Sequence, residues 1–239
     1  MDIIKTFISD IQQGIAHLMF PNVCLCCGEE PLLGDRHICT FCLEKRFEDA
    51  NPGDARSSSG VILPDGVNFQ QALWQFDKGG HLQDLMHQLK YERLISVGRQ
   101  LGAALGRRVS RNTAIKNVLE NTDPILVPVP LHYLKFRSRG FNQAFHIARG
   151  IAQVLDIPIC PVDAVVRKRF TKSQTGFSLE QRIENMENAF QVKKPEAVCN
   201  KTVVIVDDVF TTGATSFELA GTLKEAGAPS LMIWTIAQA

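Results

Sequence analysis

The stretch from Thr202 to Thr215 places an acidic pair and a loop of small residues after an apolar run, an order typical of a phosphate site. The apolar run, Val203 to Val206, predicts a buried strand, and a helical pattern resumes near Ala214. Between strand and helix, backbone N–H groups and a helix N-terminus point at one place, which favours a bound anion. Open α/β sheets bind ligands at such carboxyl ends of strands. Thr211, Thr212 and Thr215 add hydroxyl donors to this loop, and Gly213 permits close approach of a phosphate.

Two carboxylates, Asp207 and Asp208, come directly before this loop. The diol of a ribose needs hydrogen-bond acceptors, and carboxylate oxygens supply them. Because neighbouring side chains of a strand alternate between its faces, at most one of the two is expected in line with the loop unless the strand has already ended. The alternative, a threonine N-cap after two exposed aspartates, explains the start of the helix but not a buried strand that ends in a charged pair.

Five of the seven cysteines lie between positions 24 and 42, and they form two CxxC pairs: Cys24 with Cys27, and Cys39 with Cys42. Two tight turns of this kind direct four thiolates at one ion, the arrangement of a tetrahedral Zn²⁺ site. With four thiolate ligands no coordination position stays open, so a structural zinc is predicted. Reduced or disulfide-bonded cysteines are the alternative. The odd number of cysteines and the lack of an export signal favour metal binding.

Cys26 makes the first pair ambiguous. We choose Cys24 and Cys27 as the ligands because Gly28 follows them, and glycine permits the turn that points backbone N–H groups at the sulfurs.

A second loop, Pro128–Gln143, follows a short apolar strand and contains Arg137 and Arg139. Prolines restrict its backbone, and an arginine can bind phosphate oxygens through two donors. Alone, such a loop is equally typical of an exposed basic surface.

Three parts are expected along the chain: residues 1–50 with an N-terminal helix and the zinc-binding cysteines, a linker at 51–66, and a main domain at 67–239. In the main domain, helical patterns alternate with short β-branched runs, which predicts an α/β fold with a parallel sheet and crossover helices. Strands are predicted near 70–76, 125–129, 162–167, 202–207 and 231–236. Helices are predicted near 80–92, 94–109, 140–155, 178–188 and 214–226.

The charges are unevenly distributed although the net charge is only +1. Residues 90–172 carry 15 Lys and Arg against 5 Asp and Glu, which predicts an anionic partner such as pyrophosphate or nucleic acid, or else a solvated basic surface. No stretch approaches the roughly 18 consecutive apolar residues of a membrane span. Because a convincing signal peptide is also missing, we expect a cytoplasmic protein.

The run VVIVDDVFTTGAT resembles the signature with which type I phosphoribosyltransferases bind 5-phosphoribosyl-1-pyrophosphate (PRPP): hydrophobic residues, an acidic pair, then TTGxT. The resemblance implies a type I phosphoribosyltransferase fold with a Rossmann-like core. It implies that the 5′-phosphate is held by Thr211, Thr212, Gly213, Ala214 and Thr215. It also implies that Asp207 and Asp208 lie along the ribose hydroxyls. In an enzyme of this kind the two aspartates are the catalytic candidates, and Mg²⁺ accompanies PRPP.

A wider pattern resembles the ComF family, bacterial proteins related to competence and to the gluconate-linked GntX proteins. The pattern runs from the CxxC pairs through an LKY segment and PVPLH…RSRGFNQA to VDDVFTTGAT, and spans about residues 20–239. The extra Cys26 and the segment Asp77–Gly79 depart from it. The resemblance implies a role in natural transformation, with PRPP, incoming single-stranded DNA and competence proteins as partners. Arg137 and Arg139 would then contact pyrophosphate or DNA.

Two functional hypotheses result. The favoured one is a PRPP-site protein that handles single-stranded DNA, with basic residues for the phosphates and aromatic residues for stacking, unless the aromatic residues are core. These residues are Tyr91, Tyr133, Phe136 and Phe141. The alternative is an active transferase that moves a phosphoribosyl group from PRPP to a nitrogenous base or amine, largely by positioning and electrostatics. The segment from Arg167 to Asn185 is either a loop that closes over the ligand or a solvated basic loop.

Overall fold

Four parallel strands form the central sheet, as the alternating sequence pattern predicts. The strands are β1 (Val67–Gln75), β2 (Pro124–Pro128), β5 (Thr202–Phe210) and β6 (Ser230–Gln238). Their order is β1-β6-β5-β2, so that β5 and β6 lie in the middle. Two short strands, β3 (Val165–Arg167) and β4 (Phe190–Val192), pair antiparallel in a separate sheet.

The structure is a computed structural model that describes residues 23–29, 36–50, 56–57, 60–91, 95–169 and 188–239. It divides into two compact units, Met1–Arg46 and Phe47–Ala239. Within the described part of the first unit, the cysteine-containing turns lead into a π-helical turn at Cys42–Arg46. The helix predicted at 178–188 lies outside the described residues except for its last position.

Helices connect the strands of the second unit. They are α1 (His81–Tyr91), α2 (Ile95–Val109), α3 (Thr113–Glu120), α4 (Tyr133–Arg139), α5 (Gln143–Leu155) and α6 (Ala214–Glu225), and a 3-10 turn covers Pro195–Ala197. Gly227, with φ of 93°, follows the end of α6. Within the described part of the chain, no helix combines the length and the hydropathy that crossing a bilayer requires.

Helix α4 falls inside the stretch predicted as a loop. It has seven residues and none of them is buried, so no apolar periodicity marks it in the sequence. Its ends are nevertheless well formed, because the His132 side chain accepts a hydrogen bond from Leu134 N and Gly140 adopts a left-handed conformation. The two predicted arginines therefore sit on a helix, where positions two apart point in different directions.

Glycines allow α2 and α5 to pack with their backbones in contact. A Cβ atom at Gly102 would lie 1.9 Å from the Ile147 carbonyl oxygen, and one at Gly150 would lie 2.0 Å from the Arg99 carbonyl oxygen. A larger residue at either position would separate the helices. This contact fixes α5, whose first turn contributes to the site.

The core lies on both faces of the sheet, as expected when helices cover a parallel sheet. Every residue from Val203 to Val206 in β5 is fully buried, and so are Ile233 and Trp234 in β6. Beyond Val206, β5 continues for four more residues and carries the acidic pair.

Candidate functional site

The acidic pair lies on β5 itself, before the strand ends. Asp207 is half-buried and Asp208 is only 7% exposed. Each uses one carboxylate oxygen to accept a hydrogen bond from the next backbone N–H: Asp208 N to Asp207 Oδ1, and Val209 N to Asp208 Oδ1, both at 2.9 Å. The neighbouring strand β2 ends at Pro128, opposite Val206, so one side of β5 opens at the aspartates.

The loop of residues 211–215, the phosphate loop, turns directly into α6. Gly213 is the N-cap residue with φ of 79°, and a Cβ atom there would lie 2.5 Å from the Phe217 ring. Only glycine fits this position without strain. The first N–H groups of α6 have no partners within the helix and point into the loop. The Thr212 hydroxyl is buried, and within the described part of the chain it has no hydrogen-bond partner.

Beside the loop lies a cavity of about 140 Å³, the small cavity, which both aspartates line together with Thr215. Its other walls carry the cations Lys135, Arg139 and Arg167. The two predicted arginines thus differ: Arg139 lines the small cavity, whereas Arg137 is exposed and is not among the described residues that line it. Of the five loop residues, Thr215 alone is among those lining residues.

The three cations of the small cavity repel one another. Burial lowers the pKa of the Lys135 ammonium, and the nearby charges of Arg167 and Arg139 lower it further. Burial also lowers the pKa of Arg167, an effect that the carboxylate of Asp207 opposes. A bound polyanion would relieve this repulsion.

Two amides complete the small cavity from the start of α5. The Asn142 side chain joins β2 to α5, because its Nδ2 donates to the Val129 carbonyl at 3.0 Å while its Oδ1 accepts from Ala144 N at 3.0 Å. Gln143 is only 5% exposed, and no described residue donates a hydrogen bond to its buried Oε1. This acceptor is available to a ligand hydroxyl or to water.

The sequence alone did not assign Lys135, Asn142, Gln143 or Arg167 to the site. Asn142 and Gln143 lie within the RGFNQ motif, so the motif itself was the available signal. Arg167 was assigned only to a segment that either closes over the ligand or is a solvated basic loop. It reaches the small cavity from β3, 40 positions before Asp207 in the chain.

In the first unit, the cysteine cluster consists of Cys24, Cys27, Cys39 and Cys42. Their four sulfur atoms lie within 4.8 Å of one another, and the Sγ atoms of Cys27 and Cys39 are 4.0 Å apart. Four sulfurs around Zn²⁺ at about 2.3 Å would be about 3.8 Å apart, so a metal ion fits this group with small adjustments. Gly28 has φ of 71°, as the turn after the first pair requires.

Backbone N–H groups point at the sulfurs of the cluster. Cys26 N and Cys39 N donate to Cys24 Sγ at 3.4 and 3.3 Å, and Cys42 N donates to Cys39 Sγ at 3.4 Å. Burial opposes ionisation of Cys24, but the hydrogen bonds outweigh it and lower the pKa of its thiol to about 7. Burial raises the pKa of both Cys26 and Cys42 to about 12, so the pKa does not separate them. Cys26 is set apart by geometry, because it is not among the four cysteines whose sulfurs lie within 4.8 Å of one another.

Comparison with known proteins finds similarities to part of the larger unit. The family model of the phosphoribosyl transferase domain matches residues 142–238, from the amides of α5 to the end of β6. A solved purine phosphoribosyltransferase from Pyrococcus horikoshii is similar with a TM-score of 0.32 and 19% identity, over 58% of this chain and 70% of that one.

Two curated relatives extend the similarity beyond this domain. DNA utilization protein YhgH of Escherichia coli (strain K12) is 32% identical over 231 residues, which cover 92% of this chain and 98% of the relative. Competence protein F of Haemophilus influenzae is 32% identical over 160 residues, 66% of this chain and 68% of the relative. The chain therefore belongs to the ComF family, in which a phosphoribosyl transferase domain occupies the C-terminal part.

Proposed function

We propose that this protein binds PRPP at the small cavity and acts in natural transformation by handling incoming single-stranded DNA in the cytoplasm. The observation that carries the PRPP site is the meeting of the acidic pair, the phosphate loop and three cations around one cavity. These groups match the three parts of PRPP, which are a 5′-phosphate, a ribose diol and a pyrophosphate.

The phosphate loop is the proposed binding site of the 5′-phosphate. Backbone N–H groups at the start of α6 and the hydroxyls of Thr211, Thr212 and Thr215 supply its donors. The buried hydroxyl of Thr212 supports this assignment, because a polar atom that is buried without a partner costs stability until a ligand satisfies it.

Asp207 and Asp208 are the proposed partners of the ribose hydroxyls. In each, one carboxylate oxygen accepts a hydrogen bond from the next backbone N–H, and carboxylate oxygens are acceptors for ligand hydroxyls. Carboxylate oxygens are also the donors that Mg²⁺ prefers. When bound, Mg²⁺ would neutralise part of the pyrophosphate charge.

Lys135, Arg139 and Arg167 are the proposed contacts of the pyrophosphate. Arg137 is assigned to DNA instead, because it lies on the exposed side of α4. The same helix exposes Tyr133 and Phe136, whereas Phe141 is buried and belongs to the core. The side chain of Tyr91 lies outside the described part of the structure.

The DNA role rests on the relatives, which are named for DNA utilization and competence, and on the basic residues between 90 and 172. We also propose that the chain has three parts. They are a structural Zn²⁺ module at 1–50, in which the cysteine cluster holds the metal, a linker at 51–66, and a phosphoribosyltransferase-like domain at 67–239. Competence proteins are the proposed partners.

Active transfer of the phosphoribosyl group to a nitrogenous base or amine is the second candidate. A similarity to a curated orotate phosphoribosyltransferase of Bradyrhizobium, 26% identical over 157 residues, supports this second candidate. It would be supported by release of pyrophosphate from PRPP only when a base is present.

Calorimetric titration with PRPP, with and without Mg²⁺, tests the PRPP site in zinc-loaded full-length protein. We expect micromolar binding that depends on Mg²⁺ and weakens by about ten-fold or more in Asp208→Asn, which loses a charged acceptor. Asp84→Asn, an exposed substitution on α1, serves as the control and leaves binding unchanged. No heat from a folded, zinc-loaded protein would contradict the PRPP site.

A further inference from the structure

A second and much larger cavity lies next to the small one. This large cavity has a volume of about 840 Å³ and lies between α4, the start of α5 and the strands β3 and β4. Its volume is within the range of about 300–1,000 Å³ in which proteins bind organic ligands. The proposed PRPP site makes no use of it.

Aromatic rings form much of the wall of the large cavity. They belong to Tyr133, Phe136, Phe141 and Phe145. Tyr133 is 66% and Phe136 is 48% exposed, and with Leu134, 52% exposed, they form a contiguous apolar patch of the kind that marks an interaction site. The rings come from α4 and α5, so they are held by a helical framework.

The charged residues of the large cavity carry one sign. Arg167, Lys168 and Lys193 line it, and none of the described lining residues is acidic. Asp163, close to this wall in sequence, is paired with Lys194 at 2.6 Å. The two lysines are exposed at the β3–β4 side. An occupant that complements this surface carries negative charge and planar apolar groups, and a single-stranded nucleic acid has both.

We infer that the large cavity binds a segment of single-stranded DNA, with bases stacked on Tyr133 and Phe136 and backbone phosphates on Lys168 and Lys193. The inference rests on the proposed DNA function and assigns it a place on the molecule. Duplex DNA does not fit, because its bases are stacked on one another and cannot enter among the rings.

The two cavities share part of their walls. Leu131, Asn142 and Arg167 line both, so a DNA segment in the large cavity lies beside the proposed PRPP site. The guanidinium of Arg167 lies 5.5 Å from the centre of the Phe190 ring and is close enough to Asp207 for their charges to interact. Arg167, a proposed contact of the pyrophosphate, therefore also borders the proposed DNA site.

Fluorescence anisotropy of a labelled oligothymidine of about 10 nucleotides tests the stacking surface, since known single-strand sites span about 4–16 nucleotides. Tyr133→Ala and Phe136→Ala should each weaken binding about five-fold or more. Leu134→Ala is the matched control, because it removes an equally exposed apolar residue from α4 that does not line the cavity. All three variants should keep the PRPP affinity of the parent protein.

The salt dependence of the same titration tests the phosphate contacts. Lys168→Ala and Lys193→Ala should each lower the slope of log K against log salt by about 0.7, and Lys116→Ala on α3 should leave it unchanged. Single-strand binding that none of these variants alters would overturn the inference but keep the proposed DNA function. A dimer that dissociates in Tyr133→Ala and Phe136→Ala would overturn it in favour of a second copy as the occupant. No binding of the oligonucleotide at all would overturn both the inference and the DNA function, whereas the PRPP titration would stand separately.

Discussion

The cysteine cluster and the small cavity differ in the groups that they bring together. In the cysteine cluster, three backbone N–H groups point at the sulfurs of Cys24 and Cys39, and four thiolates together still need a cation. In the small cavity, Lys135, Arg139 and Arg167 share the walls with the carboxylates of Asp207 and Asp208. Four ligands of one kind suit a single metal ion, whereas groups of both charges suit a ligand that carries phosphates and hydroxyls, as the proposed PRPP does.

The largest expected effect concerns the cysteine cluster. Cys39→Ser should reduce the zinc content from about one ion per chain to almost none, because structural zinc sites are worth about 10–16 kcal/mol in apparent binding free energy and need every ligand. Cys26→Ser is the matched control and should keep its zinc. Elemental analysis after dialysis against a mild chelator measures both. Zinc loss in Cys26→Ser would show that the ligands are assigned wrongly.

The next effect concerns the phosphate loop. Gly213→Val should abolish detectable PRPP binding, because a β-branched residue at φ of 79° adds roughly 1–3 kcal/mol of strain and its Cβ meets the Phe217 ring. Calorimetry measures the binding, and the zinc content should not change. Gly221→Ala in the same helix has no atom within 4 Å of the new Cβ. This control should bind PRPP normally and gain up to about 1 kcal/mol of stability.

A smaller effect should separate the two arginines of α4. Arg139→Ala should weaken PRPP binding by about ten-fold or more, because it removes a charged donor from the small cavity. Arg137→Ala should change PRPP affinity by less than about two-fold while lowering the salt slope of DNA binding by about 0.7. Equal losses of PRPP affinity in both variants would mean that the helix rearranges when PRPP binds.

The smallest effect concerns the stability of the protein without ligand. Lys135→Met should raise the free energy of unfolding, by less than about 1 kcal/mol, because it removes a half-buried cation from beside two others. It should also weaken PRPP binding. Urea unfolding with and without PRPP measures both changes, and a loss of ligand-free stability would contradict the proposed repulsion.

The effect of Lys135→Met on the free energy of unfolding should decrease as the pH rises. The pKa of Lys135 lies below its ordinary value of 10.5 in the folded chain, so the folded form loses this proton at a lower pH than the unfolded form. The destabilisation is complete at neutral pH and fades as the pH rises toward 10.5. The stability advantage of Lys135→Met should therefore shrink as the pH rises from neutral toward 10.5.

Structural features that depend only on residues close together in the chain could be predicted from the sequence. The patterns of strand β5, the phosphate loop and the two cysteine pairs depend on neighbouring residues, and only Cys26 leaves a choice within the first pair. The strand predicted at 162–167 is shorter, since residues 162–164 form a turn and only Val165–Arg167 pair. Strand β4 was not predicted, because three residues give no measurable alternation.

The composition of the small cavity could not be predicted in the same way. Lys135 and Arg139 come from a helix without a buried residue, and Arg167 comes from a separate sheet. Only the packing of these elements brings the three cations together. Treating α4 as a loop also grouped Arg137 with Arg139, although the helix directs them to different surroundings.

The order of the strands in the sheet affects how the chain folds during its synthesis. Strand β6 comes last in the chain but lies between β1 and β5. Neither of these two strands can form its hydrogen bonds with β6 until the ribosome has added this strand. The ribosome adds about 5–20 residues per second, and 155 positions separate the end of β1 at Gln75 from the start of β6 at Ser230. The apolar strand β1 therefore waits for roughly 8–31 s without its sheet neighbour. During this interval the edge of β1 that later pairs with β6 stays open, and exposed strand edges of this kind are prone to aggregation unless chaperones cover them.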